Sequence, residues 1–226
     1  MITISNLSKK YGTKSVLENI NIRFENEKIY GIVGENGAGK TTLFRCIAGI
    51  ESYNGEITST HQPLKNHLGL LFTDPYFFRK ITGKEYIQLL CNARKIRIER
   101  IEEKNIFDLP LNQYASTYST GMKKKLAITA ILLQENKYLI LDEPFNGVDI
   151  HGNIIISDII SKLRELGKTV IISSHIFSTL HDSCDEILLL KEGVFVESAQ
   201  KDGFHALEKK MKELTIGAKL EKLELK

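Results

Sequence analysis

A glycine-rich segment near residue 40 has residue types that could bind phosphate. It fits the pattern G-x-x-x-x-G-K-[ST], in which backbone N–H groups converge on phosphate oxygens at the start of a helix. Lys40 could reach the outer phosphates as a point charge, and the Thr41 hydroxyl could ligate Mg²⁺. The alternative is an ordinary glycine-rich turn. The predicted phosphate-binding residues are Gly34, Glu35, Asn36, Gly37, Ala38, Gly39, Lys40, Thr41 and Thr42.

Two acidic residues, Asp142 and Glu143, follow a short apolar run much further along the chain. In an open parallel sheet, ligands bind at the carboxyl ends of the strands, so both acids are predicted to face the phosphate site. Asp142 would hold Mg²⁺ through water, and Glu143 is placed to activate an attacking water. The alternative is that the two acids cap the turn at Pro144.

The elements that must position these residues alternate between strand and helix. Strand-length apolar runs, nearly continuous in the later part of the chain, are typical of strands buried under helices on both faces. Helices are predicted at residues 41–50 and 150–166, the second ending before Gly167. The pattern predicts an α/β fold with a mostly parallel sheet. The predicted strands are residues 2–6, 16–24, 28–33, 68–72, 138–141, 170–173 and 187–190.

Two segments fall outside this alternation. Residues 84–118 have helical patterns without an apolar strand, which predicts a small helical lobe inserted in the α/β core. Beyond residue 200 the chain is rich in Lys and Glu. We therefore expect one domain over residues 1–200 and a charged helical extension over residues 201–226, whose amphipathic helix packs on the body. Its apolar face would consist of Phe204, Leu207, Met211 and Leu214.

The composition is that of an ordinary globular protein, with 42% hydrophobic and 26% charged residues among 226. A net charge of +3 is too weak and too evenly spread to indicate nucleic-acid binding. Cys46, Cys91 and Cys184 lack disulfide or zinc spacing, which predicts buried thiols in a reducing compartment. We find no secretory signal, and the longest nearly apolar run, residues 126–133, is too short to cross a bilayer.

A third motif, Tyr118-Ser-Thr-Gly-Met122, lies one predicted helix upstream of the acidic pair. Together the three motifs make the chain resemble the ATP-binding subunits of ABC transporters, whose signature is Leu-Ser-Gly-Gly-Gln. The resemblance spans residues 1–200 and implies a P-loop NTPase core with a mostly parallel sheet, an N-terminal antiparallel β subdomain and an inserted helical lobe. It also implies that Ser119 and the Gly121 backbone grip the γ-phosphate of an ATP held by another subunit. The alternative is a plain helix N-cap.

The same resemblance implies roles for further residues. Tyr11 matches the aromatic residue that stacks on adenine, and the alternative is a half-buried surface tyrosine. Asn146 and Asp149 match a loop that crosses the dimer interface. His175 matches a switch histidine at the γ-phosphate, so Glu143 and His175 are the implied catalytic residues. The remaining histidines are expected at the surface: His61, His67, His151, His181 and His205.

Thr73 occupies a position where this family usually has a glutamine. In the family, that glutamine ligates Mg²⁺, helps to place the water and couples the site to the membrane partner. A threonine hydroxyl could still ligate the ion, with a shorter reach, so the implied metal set is Thr41, Asp142 and Thr73. Asp74 is a further candidate from the neighbouring position. We therefore expect slow turnover.

The function implied by the resemblance is ATP hydrolysis with Mg²⁺, coupled to transport. Two such subunits, identical or different, would face head to tail around ATP. Separate transmembrane permease subunits would dock near residues 73–80 and the helical lobe, which places the chain at the cytoplasmic face of the membrane, soluble when isolated. The Ser-x-Gly-Met signature favours an exporter. The alternatives are a soluble ABC ATPase acting on the ribosome or DNA and a slow nucleotide switch. We expect no nucleic-acid partner.

Overall fold

The computed structural model describes the backbone of residues 1–220 and the side chains of residues 1–212. Its strands are distributed over two sheets. In chain order they are β1 (Ile2–Tyr11), β2 (Lys14–Phe24), β3 (Ile29–Val33), β4 (Asn54–Ser59), β5 (Leu68–Leu71), β6 (Tyr138–Asp142), β7 (Thr169–Ser174), β8 (Glu186–Lys191) and β9 (Val194–Gln200).

The α-helices follow from local capping signals as well as from apolar periodicity. Side chains of Thr82, Ser119 and Asp149 accept hydrogen bonds from the N–H groups that begin three of them. The helices are α1 (Lys40–Ile47), α2 (Gly83–Asn92), α3 (Thr120–Leu132), α4 (Ile150–Glu165), α5 (Ser178–His181) and α6 (Phe204–Leu220).

The larger sheet has the strand order β5-β6-β7-β3-β8-β9. Its neighbours pair in parallel except for β8 and β9. The carboxyl ends of β3 and β6 therefore lie at the same edge of the sheet, on either side of β7. This arrangement confirms the predicted α/β fold with a mostly parallel sheet, and it brings the glycine-rich segment and the acidic pair to one edge.

The smaller sheet is antiparallel, with the order β2-β1-β4. Its hairpin of β1 and β2 confirms the predicted N-terminal antiparallel β subdomain. Tyr11 is the last residue of β1, next to the turn of that hairpin. The strand β2 passes beside the glycine-rich segment, where Val16 and Leu17 approach Gly39.

Alternate residues of β3 face two separate apolar cores. Ile29 and Val33 pack with α2, α3 and α4, whereas Tyr30 and Ile32 pack with α1 and the small sheet. Burial on both faces explains why the central strands have continuous apolar sequences instead of alternating ones.

Several boundaries differ from the sequence prediction. The patterns do not predict β4 or β9, because β4 has a single large apolar residue and neither strand has a fully buried residue. The predicted helix at residues 41–50 ends at Ile47, since Gly49 adopts a left-handed φ of 70°. The other strands and α4 lie where they are predicted, with ends shifted by a few residues.

The segment at residues 84–118 contains less α-helix than its sequence pattern predicts. Regular α-helix is confined to α2, and the rest consists of turns and two short 3₁₀ segments. Lys95, Arg100 and Asp108 have φ values of 59°, 51° and 51°, and left-handed residues of this kind interrupt an α-helix.

Two of the histidines expected at the surface are half-buried, so that prediction is wrong for His61 and His67. Their rings lie 5.4 Å apart, and Nδ1 of His61 is 2.9 Å from the Tyr138 hydroxyl. This hydroxyl, at the start of β6, gives His61 a polar partner that short-range sequence patterns do not reveal. The three cysteines are buried and unpaired, as predicted.

The C-terminal helix packs on the body of the protein through its first turns. Phe204 and Leu207 are buried, and the Phe204 ring meets Phe177 edge-on at 6.3 Å between centroids. The side chain of Leu214 and residues 221–226 lie outside the described residues. Within the described part of the chain, no helix combines the length and the apolar character needed to cross a membrane.

Candidate active site

The glycine-rich segment forms a tight loop between β3 and α1. Gly37 and Gly39 have φ values of 86° and 111°, in the left-handed region that only glycine adopts readily. A Cβ on Gly34 would lie 2.4 Å from the Leu190 carbonyl oxygen, and one on Gly39 would lie 2.9 Å from the Leu17 side chain. Conformation and close packing therefore explain why glycines occupy these positions.

Lys40 is buried at the first position of α1. Its Nζ donates hydrogen bonds to the carbonyl oxygens of Gly34 at 2.7 Å and Glu35 at 3.2 Å. The same ammonium lies 3.6 Å from Oε1 of Glu143. Its positive charge is thus held beside both the loop and the acidic pair, where an anionic phosphate would be attracted.

Asp142 is the centre of a cluster of hydroxyl groups. Thr41 and Thr73 both donate to its Oδ2, at 2.6 and 2.7 Å, and Ser173 donates to its Oδ1 at 2.6 Å. Sequence reasoning missed Ser173, which pairs in register with Asp142 across β6 and β7. Asp74 is exposed, and it is the Thr73 hydroxyl that reaches Asp142.

This donor set is chemically suited to Mg²⁺. The converging atoms are oxygens from one carboxylate and two threonine hydroxyls, and Mg²⁺ in phosphate sites is usually held by one or two carboxylates with the phosphates of the substrate. The described residues contain no group of three His, Cys, Asp or Glu side chains suited to a metal. A Mg²⁺ ion here would therefore depend on the phosphates of a nucleotide for further ligands.

Glu143 is held in a strained and well-defined position. Its φ is 52°, unusual for a non-glycine residue, and its N–H donates to Ser173 Oγ at 3.0 Å. One carboxylate oxygen, Oε2, lies 3.0 Å from Nδ1 of His175. The other, Oε1, is buried and has no hydrogen-bond partner among the described residues. A buried carboxylate oxygen left open in this way can accept a proton from a water molecule.

A cavity of about 740 Å³ joins these groups to the N-terminal hairpin. Tyr11 lies at its rim, half exposed, with Nζ of Lys9 at 4.8 Å from its ring centroid. An aromatic ring in this position can stack on a flat base whose phosphates reach the loop. Lining residues include Tyr11, Lys14, Val16, Gly37, Lys40, Thr41, Thr42, Thr73, Glu143, Asn146, His175 and Glu192.

The Ser119 turn does not line this cavity. Ser119 is exposed at the N-cap of α3, and its Oγ accepts a hydrogen bond from the Met122 N–H at 3.2 Å. Gly121 packs against the loop after β6, because a Cβ there would lie 2.7 Å from the Gly147 carbonyl oxygen. Of the predicted interface residues, Asn146 lines the cavity, whereas Asp149 caps α4 and pairs with Lys125 at 2.6 Å.

Sequence reasoning also missed Lys124, which is only 1% exposed. Its Nζ donates to the carbonyl oxygens of Glu143 at 2.7 Å and Asn146 at 2.9 Å. Burial lowers the pKa of Lys124, and the nearby carboxylates oppose this shift. The spacing of residues in α3 could have indicated this burial. Position 124 lies on the same helix face as Ala127, Ile128 and Ile131, which are buried.

Comparisons with known proteins agree with this geometry. The sequence model of a family described as "ABC transporter" matches residues 17–146, more than half of the chain. The bacitracin transport ATP-binding protein BcrA of Enterococcus faecalis is 33% identical over 96% of this chain and 74% of its own length. The lantibiotic transport ATP-binding protein SrtF of Streptococcus pyogenes is 30% identical, over 92% of this chain and 94% of its own length.

Solved structures show the same fold at lower sequence identity. An ATP-binding subunit of an ABC transporter has a TM-score of 0.79 at 23% identity, covering 92% of this chain and 93% of its own. A dimeric post-hydrolysis state of the ATP-binding cassette MJ0796, bound to ADP and Pi, has a TM-score of 0.80 at 20% identity, over 89% and 99% of the two chains.

Fold and site together define a phosphate-loop ATPase. With the family match and the relatives above, the chain belongs to the ABC transporter family, as one of its ATP-binding subunits. Its ATPase character follows from this membership.

Proposed function

We propose that this chain pairs with a second ATPase subunit around ATP and powers separate transmembrane subunits of a transporter. The observation that carries the proposal is the separation of two surfaces suited to phosphate on one chain. The loop at Lys40 faces the cavity, whereas the exposed Ser119 turn lies outside it. An ATP held by the loop would therefore meet a Ser119 turn only from a neighbouring subunit.

Hydrolysis would use the groups around Glu143. Oε1 of Glu143 takes the proton of the attacking water, while His175 at Oε2 fixes the orientation of the carboxylate. Lys40 and the loop amides bind the phosphate oxygens and stabilise the charge that develops on them. Mg²⁺, held by Thr41, Asp142 and Thr73, would neutralise part of the phosphate charge.

Pairing and hydrolysis form a cycle in this proposal. ATP favours the closed pair because its phosphates bind the loop of one subunit and the Ser119 turn of the other. Asn146 and Asp149, in the loop beside Gly121, would lie at this interface. Loss of the γ-phosphate removes the shared anion, and the subunits separate.

The surface for the membrane subunits would be the loop between β5 and α2. Tyr76 and Phe78 are 75% and 56% exposed, with ring centroids 5.6 Å apart. Exposed aromatic side chains close to one another are typical of protein interfaces. Thr73, near the start of this loop, contacts Asp142, so a docked partner would be linked to the site of hydrolysis.

The names of the relatives support a transport role at the membrane. BcrA and SrtF are described as transport ATP-binding proteins for bacitracin and a lantibiotic. We propose that this chain also serves a transporter, and from its Ser-x-Gly-Met signature an exporter, bound at the cytoplasmic face through its partners. We also propose that residues 1–200 form the ATPase domain and residues 201–226 a C-terminal extension.

The test of pairing is the mass of the full chain in solution with and without ATP. The Glu143→Gln variant should form an ATP-dependent dimer, because the bridging γ-phosphate is not removed, and ADP should leave it monomeric. Light scattering measures both states. A Glu143→Gln chain that binds ATP and remains monomeric at every protein concentration contradicts pairing between two identical copies. Co-purification from native membranes with an apolar partner tests the transporter coupling separately.

A further inference from the structure

Lys124 is a buried lysine that phosphate binding does not explain. It belongs to a run of three lysines on α3, and its side chain turns into the protein, where it is almost completely inaccessible to solvent. An ammonium is costly to bury unless its N–H groups find acceptors. Its partners should therefore indicate what it does.

The partners of Lys124 are main-chain atoms of the catalytic turn. Nζ donates to the carbonyl oxygens of Glu143 and Asn146, at 2.7 and 2.9 Å. Among the described residues it forms no ion pair, so its charge is directed at peptide oxygens instead of a carboxylate. Two carbonyls three residues apart converge on it, which defines the shape of this turn.

The turn needs such support because Glu143 has a left-handed backbone conformation. Its N–H is bound by Ser173 Oγ, and its carbonyl oxygen accepts from Lys124 and from the Asn146 N–H at 3.2 Å. The peptide groups on both sides of its Cα are therefore fixed. The hydrogen bonds to Ser173 and Lys124 therefore set the direction of the Glu143 side chain, whose carboxylate contacts His175.

The helix that carries Lys124 is attached to the same loop at two further points. Gly121 packs against the Gly147 carbonyl, and Lys125 pairs with Asp149. Of these contacts between α3 and the loop, the hydrogen bond from Lys124 is made to Glu143 itself. Since Ser119 caps the same helix, a shift of its first turn would carry to the Glu143 peptide.

We propose that Lys124 is a positioning residue for Glu143, and that it links the Ser119 turn of a subunit to the catalytic base of the same subunit. The inference rests on the proposed function, in which Glu143 is the base and the Ser119 turn contacts the neighbour's ATP. A subunit would then adjust its own hydrolysis when its α3 turn engages the phosphate held by its partner.

The decisive variant is Lys124→Met, which keeps the length of the side chain and removes its N–H donors. We expect kcat of the full chain to fall by about 10- to 100-fold, because a small displacement of a reacting group is enough for such a loss. ATP affinity should stay within about twofold, since Lys124 itself does not line the cavity that would hold the nucleotide. Phosphate release and equilibrium ATP titration measure the two quantities.

A double-mutant cycle separates positioning from a general structural role. In the Glu143→Gln background, Lys124→Met should change the residual rate by less than about twofold, because the base that it positions is gone. Lys162→Met, at an exposed lysine of α4, is the control for loss of one lysine charge. Lys124→Gln, which keeps an amide donor, should show a smaller loss than Lys124→Met.

Each outcome bears on the proposal. Unchanged kcat in Lys124→Met overturns it, and so does an equal loss of rate with and without the Glu143 carboxylate. If Lys124→Met does not fold, as judged by its melting curve, Lys124→Leu, which also lacks a donor, takes its place in the same cycle and the same two results decide. A Glu143→Gln chain that hydrolyses ATP at the wild-type rate overturns the role of Glu143 first, and this inference with it.

Discussion

The phosphate loop and the turn at the start of α3 are both suited to phosphate, yet the chain surrounds them differently. Beside the loop, Lys40, Asp142 and Glu143 are buried and hydrogen-bonded to residues of the loop, of α1 and of β7, respectively. At the α3 turn, Ser119 and Thr120 are exposed, and the Ser119 hydroxyl accepts a hydrogen bond from its own helix.

Under the proposed function, this difference would divide the recognition of ATP between two chains. The loop region has a buried positive charge, oxygen ligands and a buried carboxylate within one chain. Lys124 and Lys125 attach α3 to the loop after β6, whereas Ser119 at the start of the helix is exposed. An anchored turn with exposed polar groups is suited to a ligand bound by another molecule, because little conformational entropy is lost when the turn binds it.

The largest effect should come from removing the base on the loop side of this comparison. Glu143→Gln should lower the rate of hydrolysis by about 10²- to 10⁴-fold, because an amide cannot accept the proton of the water. Phosphate release under saturating ATP measures the rate. ATP affinity serves as the control and should be retained. A variant with unchanged turnover would falsify the assignment of Glu143 as base.

The next effect concerns affinity at the loop. Lys40→Ala should weaken ATP binding by about 100-fold, since a charge-assisted contact with phosphate is lost. Titration with a fluorescent ATP analogue measures the dissociation constant. Lys162→Ala, at an exposed lysine far along α4, is the matched control and should bind normally. Retained affinity in Lys40→Ala contradicts the role given to the loop.

In contrast to Lys40→Ala, a variant at the α3 turn should lower turnover without weakening ATP binding. Ser119→Ala should leave ATP affinity of the single chain unchanged and reduce turnover by about tenfold, the value of one lost hydrogen bond to a charged group. Losing the cap should also cost about 1 kcal/mol of folding stability. Ser119→Thr keeps the hydroxyl and is the control. Weaker ATP binding in monomeric Ser119→Ala would place this turn in the same site as the loop and remove the contrast.

The smallest effect is expected at Thr73, where the hydroxyl contacts Asp142 at 2.7 Å. Thr73→Gln should raise turnover by less than about tenfold if a longer side chain completes the metal ligands. Thr73→Val, which removes the hydroxyl at nearly constant volume, should lower turnover and raise the Mg²⁺ concentration needed. Titration of Mg²⁺ at saturating ATP distinguishes these results from a change in nucleotide binding. Equal rates in all three chains contradict a metal role for Thr73.

Much of the fold could be predicted from the sequence because the signals are local. Central strands such as β6 and β7 consist of continuous apolar runs, and their burial on both faces requires that composition. Local sequence patterns do not predict the strands β4 and β9. β4 pairs with the distant β1, β9 pairs with the adjacent β8, and neither β4 nor β9 has a fully buried residue.

The phosphate loop, the acidic pair and the Ser119 turn could be found in the sequence alone, because each consists of neighbouring residues in a fixed order. The contact of Ser173 with Asp142 and that of Lys124 with the Glu143 peptide became visible in the folded chain. These contacts depend on the register of parallel strands and on the rotation of a packed helix. Both are set by the burial of the whole sheet, and no short stretch of residues encodes them.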